Sequence, residues 1–479
     1  MTKPTLLIAN RGEIACRVIR AARKLSLRTV AIHSEADRDL PHVGMADEAV
    51  AIGPARASES YLRKDVILEV ARRTGATLLH PGYGFLAESA SFARACQEAG
   101  VRFVGPRPEV IALMGDKEQA RQSAVRAGVP VLPGTGKLDP TDEPALHAAG
   151  AATGFPLFVK AAAGGGGIGM RLVTQPDELV ASVRTASSLA HKAFADGAVY
   201  LERVVQRARH VEVQVFGFGD GTAVHLFDRD CSMQRRHQKV LEEAGAPLIA
   251  DEIRRKMAQA AIGLAASCRY EGAGTVEFLF DTVTGEFFFL EMNTRIQVEH
   301  AATELLTGVD LVGAQLRLAM GEVLHAELAQ ENIRAEGHVV EARVYAENPA
   351  RNFMPSPGPL TELVLPAMAG VRIDCGYRQG NVMTPYYDPL VMKVLAHAAD
   401  RLTAIDKLRS ALASVRLSGL TSNLGYLDAV LAHPRFREGD VHTGLLAELH
   451  GALHDDRSSQ LQAARIAGAS VRASASANL

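Results

Sequence analysis

The chain has 479 residues, 47% of them hydrophobic and 22% charged, with a formal net charge of -2. That length suits about three domains, each large enough for its own core, and the near-neutral balance argues against nucleic acid or an acidic membrane as the main partner. The five cysteines (Cys16, Cys96, Cys231, Cys268, Cys375) are dispersed with no CxxC pair, which argues against a disulfide framework and a zinc site. Met1 runs into a strand pattern without a charged-then-apolar leader, and no apolar run reaches membrane length, so a cytoplasmic α/β protein is the expected class.

Residues 5–9 are a short apolar run that reads as a buried strand. Asn10-Arg11-Gly12-Glu13 breaks it, residues 14–25 carry a helical pattern, and residues 28–32 resume as strand, which makes a βαβ unit. The turn lacks the G-x-G-x-x-G glycines that cradle a dinucleotide pyrophosphate, so an NAD site is not expected. Residues 76–80 and 101–104 repeat the short strand pattern. The loop between them, residues 81–88, lies at a strand's carboxyl end, where doubly wound sheets place ligands.

Lys117 begins a helix expected to end near Gly128. Lys160 closes a strand over residues 156–159, and a lysine closes a buried strand poorly unless an anion or carboxylate meets it. Gly164, Gly165, Gly166 and Gly167 follow, ahead of Met170. Four consecutive glycines imply a mobile loop whose bare N–H groups can wrap phosphate oxygens, and the absence of G-x-x-x-x-G-K-[ST] excludes a P-loop. Residues 199–204 read as a strand, and so do residues 210–215. Residues 228–240 are dense in cations; taken as extended, they put Arg235, His237 and Lys239 on one side as a cationic wall opposite Glu277 and Glu291.

Residues 274–280 and 286–290 read as two strands of a hairpin turned by residues 281–285. That hairpin sets Glu277 opposite Glu291, within a residue of register. Two such carboxylates repel unless a divalent cation lies between them, and Asn293 adds a third oxygen. The all-oxygen set suits Mg²⁺ or Mn²⁺ rather than zinc. Arg295, Gln297 and Glu299 then alternate along a segment expected to be extended, giving an anion site with a candidate base beside the metal site. Residues 337–347 alternate as a strand carrying Arg343. The Met392-Lys393 pair resembles a biotin-attachment signature, but the helical pattern over residues 402–414 replaces the second hairpin such a carrier needs, so Lys393 is not expected to carry biotin. Beyond His454 the chain is rich in Ser and Ala and reads as a mobile tail.

The run EMNTRIQVEH at residues 291–300, with Glu277 upstream, resembles the metal and bicarbonate site of biotin carboxylases, which are ATP-grasp ligases. HPGYGFLAE (80–88), the glycine-rich run (161–170), RDCSMQRRHQK (229–239), GHVVEAR (337–343) and YYDPLVMK (386–393) extend the resemblance from about residue 6 to about residue 446. One departure is Ile168, where the family commonly carries arginine or lysine; another is Ala163, often glycine or a polar residue.

The resemblance implies an α/β fold: a doubly wound N-terminal domain (1–114), an ATP-grasp domain (115–320) with a small lid (about 131–204), an antiparallel-sheet C-terminal domain (335–447), and the tail (452–479). It implies that Lys117, Lys160, the four lid glycines, Met170, Glu202, Val204, His210, Gln234 and His237 attend ATP. Glu277, Glu291 and Asn293 would hold the metal, and Lys239, Arg295, Gln297 and the Val298 amide would hold bicarbonate. Glu299 would be the base, Arg343 would stabilise the biotin enolate, and Tyr83 would lie near biotin. The implied reaction is ATP-dependent carboxylation of a carrier-borne biotin through carboxyphosphate. It would be the first half-reaction of an acyl-CoA carboxylase, with acetyl-CoA and fatty acid biosynthesis the expected setting. Carrier and carboxyltransferase are expected on other chains, with a homodimer as the assembly. Another bicarbonate-using ATP-grasp ligase and a non-catalytic nucleotide-binding subunit are the alternative readings.

Overall fold

The computed structural model describes residues 4–161, 170–194 and 197–454. The glycines Gly164, Gly165, Gly166 and Gly167, together with Ala163, Ile168 and the tail past His454, lie outside the described residues. The chain forms two compact units, one made of Met1–Val129, Arg209–Phe278 and Leu290–Leu479, the other of Pro130–Ala208 and Leu279–Phe289.

The first unit begins with β1 (Thr5–Ile8), β2 (Arg28–His33), β3 (Glu48–Ala51), β4 (Leu78–His80) and β5 (Arg102–Phe103). They form a parallel sheet in the order β3-β2-β1-β4-β5. β1 is buried on both faces, as a sheet covered by helices on each side requires, and this is why Thr5–Ile8 shows no alternation. The helix Gly12–Lys24 starts directly after β1, and Gly12 enters it at φ +64°, a left-handed conformation that glycine takes without the Cβ penalty other residues meet. Its apolar stripe of Ile14, Val18 and Ile19 packs with Leu6 and Ile8.

The second unit carries β6 (Leu157–Ala161), β7 (Arg171–Val173) and β8 (Val199–Arg203) in the antiparallel order β7-β6-β8. Its core is Leu146, Leu157, Val159, Val173, Leu179, Val183 and Leu201. Phe158 pairs with Glu202 and Lys160 with Tyr200, so Lys160 and Glu202 share one sheet face and join as an ion pair. The carboxylate that a strand-end lysine calls for is therefore Glu202.

Apart from six short strands paired two by two, the other strands are β9 (Ala208–Phe218), β10 (Ala223–Arg235), β11 (Gln238–Ala244), β12 (Glu271–Asp281), β13 (Phe287–Asn293), β14 (His338–Tyr345), β15 (Val371–Cys375) and β16 (Leu390–Ala398). They make one sheet in the order β13-β12-β9-β10-β11-β14-β16-β15. The C-terminal strands thus do not stand as a separate sheet: β14 pairs antiparallel with β11, Leu241 facing Ala342 and Glu242 facing Glu341. The continuous sheet gives the buried carboxylates of β11 partners on β14: Arg343 donates to Glu242, and His338 lies 2.8 Å from Glu243. The helix Arg401–Ser414 packs Ile405, Leu408 and Leu412 into the core with Val394 and Val344. A short helix, His450–His454, occupies the first residues assigned to the tail.

Candidate active site

Sheet periodicity builds the site. On β9, His210, Glu212 and Gln214 alternate with Val211, Val213 and Val215, so three polar groups share one face, all buried. A buried polar face is tolerable only if every group is partnered, and Arg229 on β10 supplies much of that partnering. It is 0% exposed. It donates to Glu212 at 2.7 Å, to Gln214 and Thr303 at 2.8 Å each, to Thr275 at 3.3 Å and to Gln297 at 2.6 Å. Losing one partner of such a buried charge costs about 3–5 kcal/mol, so Arg229 fixes the floor of the site. Neither Glu212 nor Arg229 was anticipated as a site residue; the polar period of two along β9 was the available signal.

Lys239, on β11, reaches three carboxylates: Glu299 at 2.6 Å, Glu212 at 2.7 Å and Glu277 at 3.2 Å. Burial favours its neutral amine, but this ring of acids overrides it and holds the pKa well above the usual lysine range. The expected wall of Arg235, His237 and Lys239 does not form. Arg236 and His237 both take positive φ, +51° and +66°, and make the tight turn between β10 and β11. Two left-handed residues match the twist of a two-residue hairpin, but this turn uses neither Gly nor Asn, which is why the segment reads as extended. His237 is left exposed at the turn. Arg235 instead pairs with Glu347 at 2.7 Å and lies 3.8 Å over the Phe353 ring. Gln234 is half-buried, paired with Lys239 across the hairpin.

β12 and β13 are neighbours, carrying Glu277 and then Glu291 and Asn293. Glu277 accepts from Asn293 and Gln297, each at 2.8 Å, and lies 2.9 Å from His210 Nε2. Burial alone would raise the Glu277 pKa, but Lys239 and His210 hold it far below the carboxylate range. Burial likewise opposes protonation of His210, and the Glu277 charge reverses this and raises its pKa. Glu291 sits at the solvent-facing edge, where close packing around its carboxyl and then the Glu277 charge raise its pKa. That like-charge pressure is what a dication between the two would relieve, so the oxygen set of Glu277, Glu291 and Asn293 fits Mg²⁺ or Mn²⁺. Asn293 Oδ1 accepts from Arg295 at 2.8 Å, so this amide would have to turn toward an ion.

The segment after β13 bends rather than running extended, and Val298 and Glu299 form a turn that leads into the helix His300–Thr307. Arg295 reaches Glu88 at 2.9 Å and Asn293 Oδ1 at 2.8 Å. Glu299 meets Lys239 and also Arg343, the latter at 3.0 Å. Burial would raise its pKa, but Lys239, Arg343 and Arg229 pull it well below the usual range, so the carboxylate is ionised. Arg343 also donates to Glu242, whose pKa burial pushes up to about 7. Glu341, opposite Glu242 on β14, has neither oxygen partnered among the described residues, and burial pushes its pKa well up. Tyr83 donates to Glu13. Lys117 starts the helix Lys117–Arg126, capped by Asp116. In the second unit Val204 N–H is taken by Pro156 O at 2.9 Å, and Met170 is exposed.

The biotin carboxylase N-terminal domain family matches residues 2–111, the ATP-binding domain family of the carbamoyl-phosphate synthase L chain matches 116–327, and the biotin carboxylase C-terminal domain family matches 341–448. The chain belongs to the biotin carboxylase family. Its members are ATP-dependent ligases of the ATP-grasp fold, here with a parallel N-terminal sheet and an antiparallel C-terminal one. The chain is 48% identical over 446 residues to the mitochondrial methylcrotonoyl-CoA carboxylase subunit alpha of Mus musculus, covering 93% of this chain but 62% of that protein. It therefore spans less than two thirds of the length of that relative. It is 46% identical over 443 residues to biotin carboxylase 2 of Bacillus subtilis, covering 92% and 99% of the two chains. Among solved structures, the biotin carboxylase domain dimer of the Hydrogenobacter thermophilus 2-oxoglutarate carboxylase, in complex with MgADP, ADP and bicarbonate, has 41% identity and a TM-score of 0.85, covering 95% and 99%. No helix among the described residues is long and apolar enough to cross a membrane.

Proposed function

We propose that the chain carboxylates biotin carried on a carrier domain, using ATP and bicarbonate, as the first half-reaction of a biotin-dependent carboxylase. The observation that supports this most is the convergence of Lys239 and Arg343 on the Glu299 carboxylate, at 2.6 Å and 3.0 Å, beside the Glu277 and Asn293 pair. Lys239, Arg295, Gln297 and the Val298 amide hold bicarbonate in this reading, and a divalent ion on Glu277, Glu291 and Asn293 supplies charge neutralisation for the nucleotide phosphates. Lys117, Lys160, Gly164, Gly165, Gly166, Gly167, Met170, Glu202, Val204, His210, Gln234 and His237 are the proposed nucleotide contacts, within domains bounded at 1–114, 115–320 and 335–447.

Glu299 starts ionised, which a base requires, but its proton affinity is low while Lys239 and Arg343 hold it. An incoming anion competes for those same cations. As they turn toward it, Glu299 regains proton affinity and takes the bicarbonate proton, leaving an oxygen to attack the γ-phosphate. Arg343, freed from Glu299, is then placed to hold negative charge developing on a biotin ureido oxygen. Tyr83 lies near that ring in this reading.

Relatives that act in methylcrotonoyl-CoA and 2-oxoglutarate carboxylases share this half, so acetyl-CoA as final acceptor is one proposal among several; the half-reaction never touches the acceptor. Biotin carrier and carboxyltransferase partners, and a homodimer, belong to the same proposal. ATP hydrolysis measured with bicarbonate and free biotin added singly and together tests it. Hydrolysis that requires both is expected. Hydrolysis with bicarbonate alone at the full rate points to another bicarbonate-using ligase, and none under any condition points to a silent nucleotide-binding subunit.

A further inference from the structure

Two buried side chains that the mechanism leaves unused grip the backbone on either side of Val298. His300 is 0% exposed, and its Nδ1 lies 2.7 Å from the Gln297 carbonyl oxygen. A carbonyl only accepts, so Nδ1 carries the proton and donates. The His300 N–H adds a second donor to the same carbonyl at 3.3 Å. Burial, then the cations Lys393, Arg17 and Arg372, hold the His300 pKa well below the usual value, so the ring is neutral with that single proton. Nε2 is buried with no hydrogen-bond partner among the described residues, 3.9 Å from Glu304.

Lys393 is also 0% exposed, and it donates to the next carbonyl, that of Val298, at 2.6 Å. Glu13 at 3.1 Å and Asp374 at 3.8 Å balance its charge, and Tyr83 bonds to Glu13 in turn. Burying an ammonium is costly, so a lysine placed here to meet one backbone carbonyl has a function that packing alone does not give.

We infer that His300 and Lys393 are positioning residues that clamp the two peptide units flanking Val298, and so aim the Val298 N–H at bound bicarbonate. The Gln297 carbonyl and the Val298 N–H belong to one planar trans peptide and point in opposite directions. A donor on the carbonyl therefore fixes the direction of the N–H and polarises it. Among the described residues no acceptor meets the Val298 N–H, as suits a donor kept for a ligand. Lys393 sets the adjoining plane, which leads into Glu299. The clamp also explains Met392-Lys393: this lysine is spent on the backbone and is inaccessible to any modifying enzyme.

The inference rests on the bicarbonate reading of Val298, and the test separates the two. An asparagine amide nitrogen falls near the position of imidazole Nδ1, whereas a glutamine nitrogen reaches the position of Nε2. His300→Gln should raise the KM for bicarbonate about tenfold, roughly 1.4 kcal/mol, with the KM for ATP within twofold, and His300→Asn should restore most of the loss. A side chain that only fills space predicts the reverse, because asparagine is the smaller of the two. Equal effects of the two variants, or an unchanged bicarbonate KM in His300→Gln, overturns the clamp. Arg295→Ala, measured alongside, decides which proposal has failed: if it too leaves the bicarbonate KM unchanged, the bicarbonate site itself is misassigned. Should His300→Gln not fold, the charge-balanced pair Glu13→Gln with Lys393→Met removes the other half of the clamp and must give the same selective rise in bicarbonate KM, or the clamp is wrong.

Discussion

Glu299→Gln tests the base most directly, and the structure sets its expected size. The substitution removes one carboxylate from a cluster of cations, so the first question is whether any cation is stranded. Lys239 retains Glu212 at 2.7 Å and Glu277 at 3.2 Å, Arg343 retains Glu242, and Arg229 retains Glu212 at 2.7 Å. None is left alone, so the loss is that of charge-assisted hydrogen bonds, about 1–3 kcal/mol, rather than the 3–5 kcal/mol of an orphaned buried charge. Glu242 softens it further. Its pKa of about 7 is raised first by burial and, after the lowering effect of Arg343, by the Glu299 charge; with Glu299 neutral, Glu242 ionises more fully and restores a negative charge beside Arg343. For a chain of this length about 1–3 kcal/mol moves Tm by only a few degrees. Turnover should fall by on the order of 10²-fold or more, because the proton has no other acceptor in place. The assay is bicarbonate- and biotin-dependent ADP release, paired with calorimetric titration of ATP, whose affinity should stay within about threefold. Lost ATP affinity with normal turnover of the bound enzyme, or turnover within twofold of the parent, would refute the reasoning.

Glu291→Ala should shift the Mg²⁺ dependence of turnover upward by about tenfold, with excess Mg²⁺ recovering part of the rate and Tm barely changed, because Glu291 is exposed; an unchanged Mg²⁺ titration removes it from the metal site. His42 and His80 are held at a pKa of about 4, chiefly by burial, against 6.5 when exposed. The folded state therefore refuses protons that the unfolded chain accepts, so their contribution is intact above pH 6.5 and lost as pH falls from 6.5 towards 4, at most about 3 kcal/mol each. A Tm series over that window should fall steeply and flatten in His42→Gln; an identical slope in the variant counts against His42. Ile168→Arg should tighten ATP binding by roughly tenfold at most and steepen its salt dependence, since a charge-assisted phosphate contact is screened; equal or weaker binding at both low and high salt means that residue 168 does not face phosphate.

What the sequence determined by itself is whatever depends on neighbours along the chain. The strand Thr5–Ile8 and the helix Gly12–Lys24 follow from local periodicity and from a glycine able to take φ +64°. The hairpin that carries Glu277, Glu291 and Asn293 was legible because turn residues separate two apolar runs, and the need of Lys160 for a carboxylate was legible from its place at a strand end. What only the tertiary structure decided concerns groups that meet across strands distant in sequence. Glu212 and Arg229 read as ordinary strand residues until β9 and β10 lie side by side and bury them together. The turn at Arg236 and His237 breaks the apparent wall of cations, because two non-glycine residues accept left-handed backbone that the hairpin twist rewards and local propensity disfavours. Lys393 is the clearest case. A lysine flanked by apolar residues is ambiguous along the chain, and only the folding of β16 beneath the turn at Val298, with Glu13 brought from the first helix, creates a place where a buried ammonium is electrostatically tolerable.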